Sequence, residues 1–148
     1  IHMALDTSGY VKWQKMDEIL NHVDLVLYDI KLINPAKHVE YTGVSHELIL
    51  ENARKISGKG MPMFIRVPVI PGYTDGEKNI RGIMEFACTL ENVVKVDLVP
   101  FHRLGEPKYR KLGRSYAFED TQPPADEHMQ RLKRLVASYG LQAKTVSK

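Results

Sequence analysis

The stretch Asp24-Leu25-Val26-Leu27-Tyr28-Asp29-Ile30-Lys31 decides the fold. Val23–Tyr28 is a near-continuous apolar run, as expected of a strand buried on both faces. It runs into an acid and a base, Asp29 and Lys31, which side-chain alternation puts on one face of an extended segment. Charges at the mouth of a buried strand cost free energy unless they are paired or in use. Three other runs repeat the pattern: Ile1–Leu5 ends at Asp6-Thr7, Met61–Ile70 holds Arg66 in its interior, and Val93–Phe101 ends at His102. Four strands that aim polar groups at one end have the layout of an α/β barrel active site, where chemistry sits at the carboxyl ends of the strands.

Helix signals alternate with these strands. Met16, Ile19, Leu20 and Val23 have the spacing of an amphipathic helix over Gln14–His22. Ser45 is a candidate cap for a helix bearing Ile49, Ala53 and Ile56, stopped by Gly58 and Gly60. Asp75 is a candidate cap for a helix over Gly76–Leu90. Met129, Leu132, Leu135, Val136 and Tyr139 predict a last helix over Ala125–Tyr139, and Leu141–Val146 reads as a short edge strand. Such alternation means parallel strands with right-handed crossovers. Four strands do not close a barrel, so the chain reads as an open α/β sheet or part of a barrel. Residues 102–124 form a long irregular loop at the active end, read as a lid or a partner-docking loop.

Bulk properties narrow the field. The 148 residues fit one domain, 1–148, with 43% hydrophobic and 26% charged residues and a formal net charge of +3. That charge is too small and dispersed to argue for nucleic acid, and the basic stretch Lys108–Arg114 reads as a solvated loop. No run has the length of a membrane span and no secretory signal is visible, so a cytoplasmic protein is expected. The single cysteine, Cys88, makes neither an internal disulfide nor a cysteine-only metal site, and its place beside Ala87 reads as a small core position. Gly58-Lys59-Gly60 precedes Met-Pro rather than a helix, which excludes a phosphate-binding loop.

Each polar residue has a bland and a sharp reading. Asp29 and Lys31 are a local ion pair, a grip for a zwitterionic ligand, or the surroundings of a Schiff-base lysine. Arg66 is a bidentate site for a carboxylate or phosphate, or a structural partner of Asp6 or Asp29. His102 is structural or a ligand contact. Asp6-Thr7-Ser8-Gly9 is a turn or part of the site.

Taken in order, Leu5-Asp6-Thr7-Ser8-Gly9, Asp24–Lys31, Tyr41-Thr42-Gly43-Val44-Ser45, Ile65-Arg66-Val67-Pro68, Pro71-Gly72 and Pro100-Phe101-His102, with Leu104-Gly105 and Lys108-Tyr109, carry a resemblance. The chain resembles the radical S-adenosylmethionine (SAM) activating enzymes of glycyl radical enzymes, of which pyruvate formate-lyase activating enzyme is the type member. The resemblance implies a partial TIM-type (β/α)6 barrel, of which this chain supplies the last four parallel strands. It implies reductive cleavage of SAM at a [4Fe-4S] cluster, giving methionine and a 5′-deoxyadenosyl radical that takes a hydrogen from a backbone glycine of the partner. By the same resemblance Asp29, Ile30, Lys31, Arg66 and His102 line SAM. Asp6, Thr7, Asp29 and the backbone of Leu27 resemble the holders of a monovalent cation. The Leu104–Leu112 loop would face the glycyl radical enzyme, and a flavodoxin or ferredoxin would donate electrons.

One departure matters. The family holds its cluster with Cys-x3-Cys-x2-Cys, and that motif is not in these residues. The Gly-Gly-Glu segment that grips the SAM amino group is absent too. Both precede the matching region in the family, so the chain is expected to be the C-terminal part of an activating enzyme and inactive alone. Two other readings stay open: a Lys31 Schiff-base lyase and a non-catalytic module that binds SAM or the partner. An exposed first strand predicts a dimer through the barrel edge.

Overall fold

The computed structural model describes residues 1–103, 107, 111–113, 118 and 120–145. Five strands, β1 (Ala4–Thr7), β2 (Leu25–Asp29), β3 (Met63–Val69), β4 (Val93–Pro100) and β5 (Ala143–Thr145), form one sheet in sequential order. Every adjacent pair is parallel. The helices between them include α1 (Trp13–Leu20), α2 (Pro35–Thr42), α3 (Glu47–Gly58), α4 (Glu77–Ala87) and α5 (Asp126–Ala137). In a sheet of sequential parallel strands, right-handed crossovers place successive helices on the same face. The single core cluster follows that rule. Met16, Leu20, Ile49, Ala53, Ile56, Ile80, Ile83, Met84, Met129, Leu132 and Val136 meet Val26, Tyr28, Met63, Ile65, Val67, Val96 and Leu98 from the strands. The arrangement is the partial α/β barrel expected, with Leu141–Val146 contributing β5 within its bounds.

The alternate strand positions form the other face. Asp6, Leu27, Phe64 and Lys95 are one row of it by register, and Asp29, Arg66, Asp97 and Lys144 the next. β4 carries one extra residue at this point. Met63 faces Val93 but Phe64 faces Lys95, so Val94 bulges out and is exposed. An extra residue resets the alternation of its strand. Here it brings Lys95 and Asp97 into phase with Phe64 and Arg66.

Several local expectations need correction. Helix α2 was not predicted, because His38 is its one buried residue and no apolar stripe marks it. Its signals were polar: Asn34 accepts from Lys37 N at 3.0 Å and Pro35 takes the first helical position. Asp75 does not cap α4; Gly76 does, while Asp75 accepts from Gly72 N at 2.9 Å inside the preceding turn. Ser45 lies one residue before the cap of α3, His46, and accepts from Glu47 N at 3.2 Å. Cys88 is exposed rather than a core residue. It follows the last helical residue, Ala87, and the turn carries it off the apolar stripe. The Lys108–Arg114 stretch and the Leu104–Leu112 segment fall largely outside the described residues.

Candidate functional site

The face of the sheet opposite the helices carries an ionic network near the carboxyl ends of the strands. Arg66 sits in the middle of β3 and is flanked by two carboxylates. Its Nη1 and Nη2 donate to Asp6 Oδ2 and Oδ1 at 2.9 and 2.6 Å. Its Nε donates to Asp29 Oδ1 at 2.9 Å, with Nη2 2.8 Å from the same oxygen. The other Asp29 oxygen takes Lys31 Nζ at 3.2 Å. All four carboxylate oxygens are therefore engaged, and the four formal charges cancel. Burial works against the charge of Arg66, but the hydrogen bond and charge of Asp29, then those of Asp6, outweigh it and hold its pKa above the ordinary value.

The structural reading of Arg66 is thus correct for both carboxylates at once. It does not displace the ligand reading, because the network is open to solvent on one side. The side chains of Asp6 and Lys31 are 59% and 36% exposed, against 19% for Asp29. An incoming anion can share the free donors of Lys31, and an incoming cation can share Asp6.

The other expected site residues divide by strand alternation. Leu27 lies on the same face as Asp6, its register partner. Thr7 falls on the helix side with its partner Tyr28, and its hydroxyl accepts from Gly9 N at 2.9 Å. Ile30 is 1% exposed, so its side chain belongs to the core and only its backbone borders the site. His102 lies two residues past β4, exposed and outside the network. Lys31 stands against a carboxylate, not in the apolar pocket that suits a Schiff-base lysine.

Two residues of this face were missed. Lys95 Nζ lies 2.7 and 2.6 Å from the two oxygens of Asp97 and 4.2 Å from the Phe64 ring centroid. Asp97, a register partner of Arg66, is 4% exposed. The signal was present: Lys95-Val96-Asp97 repeats the acid–base spacing of Asp29-Ile30-Lys31 in reverse. Aromatic rings also converge after the strand ends. Tyr41, Tyr73, Phe118 and Phe101 follow one another at centroid distances of 5.2, 5.0 and 5.7 Å. Among the described residues no cluster of His, Cys, Asp and Glu is arranged to hold a metal, and no helix is long and apolar enough to cross a membrane.

Comparison with known proteins decides the family. The trans-4-hydroxy-L-proline dehydratase activating enzyme of Clostridioides difficile is 38% identical over 146 residues, covering 97% of this chain and 48% of that protein. The pyruvate formate-lyase 1-activating enzyme of Escherichia coli K12 is 36% identical over 142 residues, covering 95% of this chain and 58% of that protein. This chain belongs to the glycyl-radical-enzyme activating enzyme family. It spans about half the length of these activating enzymes. A solved domain of a pyruvate formate-lyase activating enzyme from Bacteroides vulgatus superposes with a TM-score of 0.81 at 29% identity, covering 99% of this chain and 82% of that one. A radical SAM methyltransferase from Sphaerobacter thermophilus shares the fold at 15% identity and a TM-score of 0.70, over 97% of this chain and 39% of that one. The chain thus shares its fold with a radical SAM enzyme. No protein-family model matches it.

Proposed function

We propose that this chain supplies the SAM-binding face of a radical SAM activase whose whole form generates a glycyl radical on a partner enzyme. The observation that carries the reading is the Asp6–Arg66–Asp29–Lys31 network, which lies on the sheet face that the helices leave bare. SAM brings a carboxylate, an ammonium and a sulfonium. A surface with two cations and two carboxylates in alternation suits such a ligand, since each charge can exchange an internal partner for an external one. Lys31 and Arg66 would take carboxylate or ribose oxygens, Asp29 would face a positive group, and His102 would approach from the end of β4. Asp6, Asp29 and the backbone at Thr7 and Leu27 would hold a monovalent cation only after Arg66 gives up part of its hold on the two carboxylates.

The residues present do not fit an iron–sulfur cluster. A cubane needs three thiolates from the protein, and the one thiol here, Cys88, follows α4 and is exposed. On this reading the chain alone is inactive. Anaerobic reconstitution with iron and sulfide should leave it without cubane absorption. For the whole protein the partner would be a glycyl radical enzyme and the electron donor a flavodoxin or ferredoxin.

Titration calorimetry with SAM tests the binding role. Uptake of one SAM per chain is expected, weakened about tenfold or more by Lys31→Met, since a hydrogen bond to a charged group contributes roughly 1.5–3 kcal/mol. No heat of binding to the intact chain, or equal affinity in the variant, would sink this role.

A further inference from the structure

Lys31 belongs to the ionic network, yet the sheet does not hold it. Ile30 makes the last ladder bond of the β2 segment, its amide donating to Arg66 O at 3.0 Å. The chain then leaves the sheet, and peptide groups that leave a ladder need other partners.

Two side chains supply them. Asn79, in the first turn of α4, donates from Nδ2 to Lys31 O at 2.9 Å and to Thr74 O at 2.9 Å. Its Oδ1 accepts from Ile33 N at 2.9 Å. His46, at the start of α3, meets Ile33 O with Nε2 at 2.8 Å. A carbonyl only accepts, so that nitrogen carries the proton. The Ile33 backbone is thus held at both its N–H and its carbonyl. Beside it Leu32 is buried, and Gly82 leaves room for Ile33, since a Cβ there would lie 2.6 Å from Ile33 Cγ2.

The same amide reaches the next strand. Thr74, bonded to Asn79, accepts from Ile70 N at 2.8 Å and donates to Pro68 O at 2.6 Å, which ties down the end of the strand bearing Arg66. One carboxamide therefore links the exits of β2 and β3, the two strands that carry the central charges. Only a planar head with two donors and an acceptor makes these three bonds. An aspartate has no donor and an apolar isostere has neither.

We propose that Asn79 is a positioning residue, which sets the Lys31 ammonium against Asp29 and so prepares the pair for its ligand. The proposal rests on the SAM-binding reading above for the ligand, but the positioning itself is measurable without SAM. A segment that is already ordered spares the ligand the entropy of ordering it.

The test uses the 148-residue chain with Asn79→Ala, Asn79→Asp and a control, Ser57→Ala. Ser57 accepts from Glu91 N at 2.8 Å near the opposite ends of the strands, so its loss removes a comparable bond far from the network. Two quantities are read: SAM affinity, and the rate at which an amine reagent labels Lys31, scored by mass spectrometry against exposed Lys15. Asn79→Ala is expected to speed Lys31 labelling severalfold and to weaken SAM binding about tenfold. Asn79→Asp, which keeps only the acceptor for Ile33, should follow it and serves if the alanine variant does not fold. Ser57→Ala should change neither quantity. Unaltered Lys31 labelling in a folded Asn79 variant, or an equal change in Ser57→Ala, overturns the proposal. If the parent chain takes up no SAM, the SAM-binding reading fails while the labelling result still decides the role of Asn79.

Discussion

Arg66 and Asp6 meet across an intervening strand: from β3 the guanidinium passes over β2 and takes both carboxylate oxygens of Asp6 in β1, at 2.9 and 2.6 Å. Leu27 is the residue of β2 beside Asp6, and Asp29 bonds the same guanidinium on the way. Three parallel strands are thereby joined by one side chain, in addition to their ladders.

Arg66→Lys tests how much of that depends on the fork. A lysine keeps the charge but has no planar pair of donors, so it cannot serve both carboxylates with the same geometry. Asp6 is mostly exposed, and its share is discounted for solvent screening. We expect a loss of about 1–2 kcal/mol in urea unfolding, and a larger loss in Arg66→Met, which leaves Asp29 without its main partner. Equal stability of Arg66→Met and the parent would show the network to be energetically idle.

The Lys95–Asp97 pair is the more buried one, with side chains 18% and 5% exposed. Removing one partner strands the other in a poorly solvated place. Asp97→Leu or Lys95→Met alone should cost about 3–5 kcal/mol, while the double variant should recover most of that loss. A double-mutant cycle in denaturant measures the coupling, and additive losses would contradict it.

Gly9 and Gly43 both have positive φ, 73° and 78°, but differ in surroundings. A Cβ on Gly9 would stand 1.7 Å from the Tyr28 hydroxyl oxygen, whereas nothing lies within 4 Å of one on Gly43. Gly43→Ala should therefore cost about 1 kcal/mol, the backbone term alone. Gly9→Ala must also push aside a buried tyrosine whose hydroxyl donates to Ile49 O at 2.6 Å. We expect it to lower the thermal midpoint well beyond Gly43→Ala; similar midpoints would refute the close packing.

Alkaline pH should act through Tyr28. Burial raises its pKa above the ordinary value of 10.0, because the phenolate cannot be solvated there. A raised folded-state pKa gives stability that is fully present below the unfolded pKa and is lost as pH rises above it. Unfolding free energy should thus fall as pH climbs past about 10. Tyr28→Phe should flatten that slope, at a cost of about 1–2 kcal/mol at neutral pH for the orphaned Ile49 carbonyl. An unchanged alkaline slope in the variant would assign the effect elsewhere.

The outer edge of β1 has no strand neighbour among the described residues, and Met3 beside it is 47% exposed. Such an edge pairs with other chains. We expect a dimer by light scattering, shifted toward monomer by Met3→Lys, which puts a charge on that edge. A parent chain that is monomeric at working concentration would count against it.

Much of the fold could be read from one-dimensional patterns. The runs around Tyr28, Ile65 and Leu98 announced buried parallel strands, and the stripes of α1, α3, α4 and α5 announced their helices. Helix α2 escaped because its signals are polar rather than periodic. The Lys95-Val96-Asp97 spacing was legible, but its place beside Phe64 and Arg66 was not: alternation in β4 is reset at Val94, and a bulge depends on the partner strand, which the chain does not name in advance.

By itself the sequence determined the class of fold, the charged positions Asp6, Asp29, Lys31 and Arg66, and the family to which they belong. Periodicity and local side-chain chemistry are properties of the chain alone. The tertiary structure decided who partners whom: that Arg66 serves Asp6 and Asp29 together, that Ile30 and Thr7 turn away from Asp29 and Asp6, and that Asn79 holds Lys31. Those outcomes depend on strand register and on contacts between residues as far apart as Lys31 and Asn79. Burial and the cost of unpaired polar groups select them only once the sheet has formed.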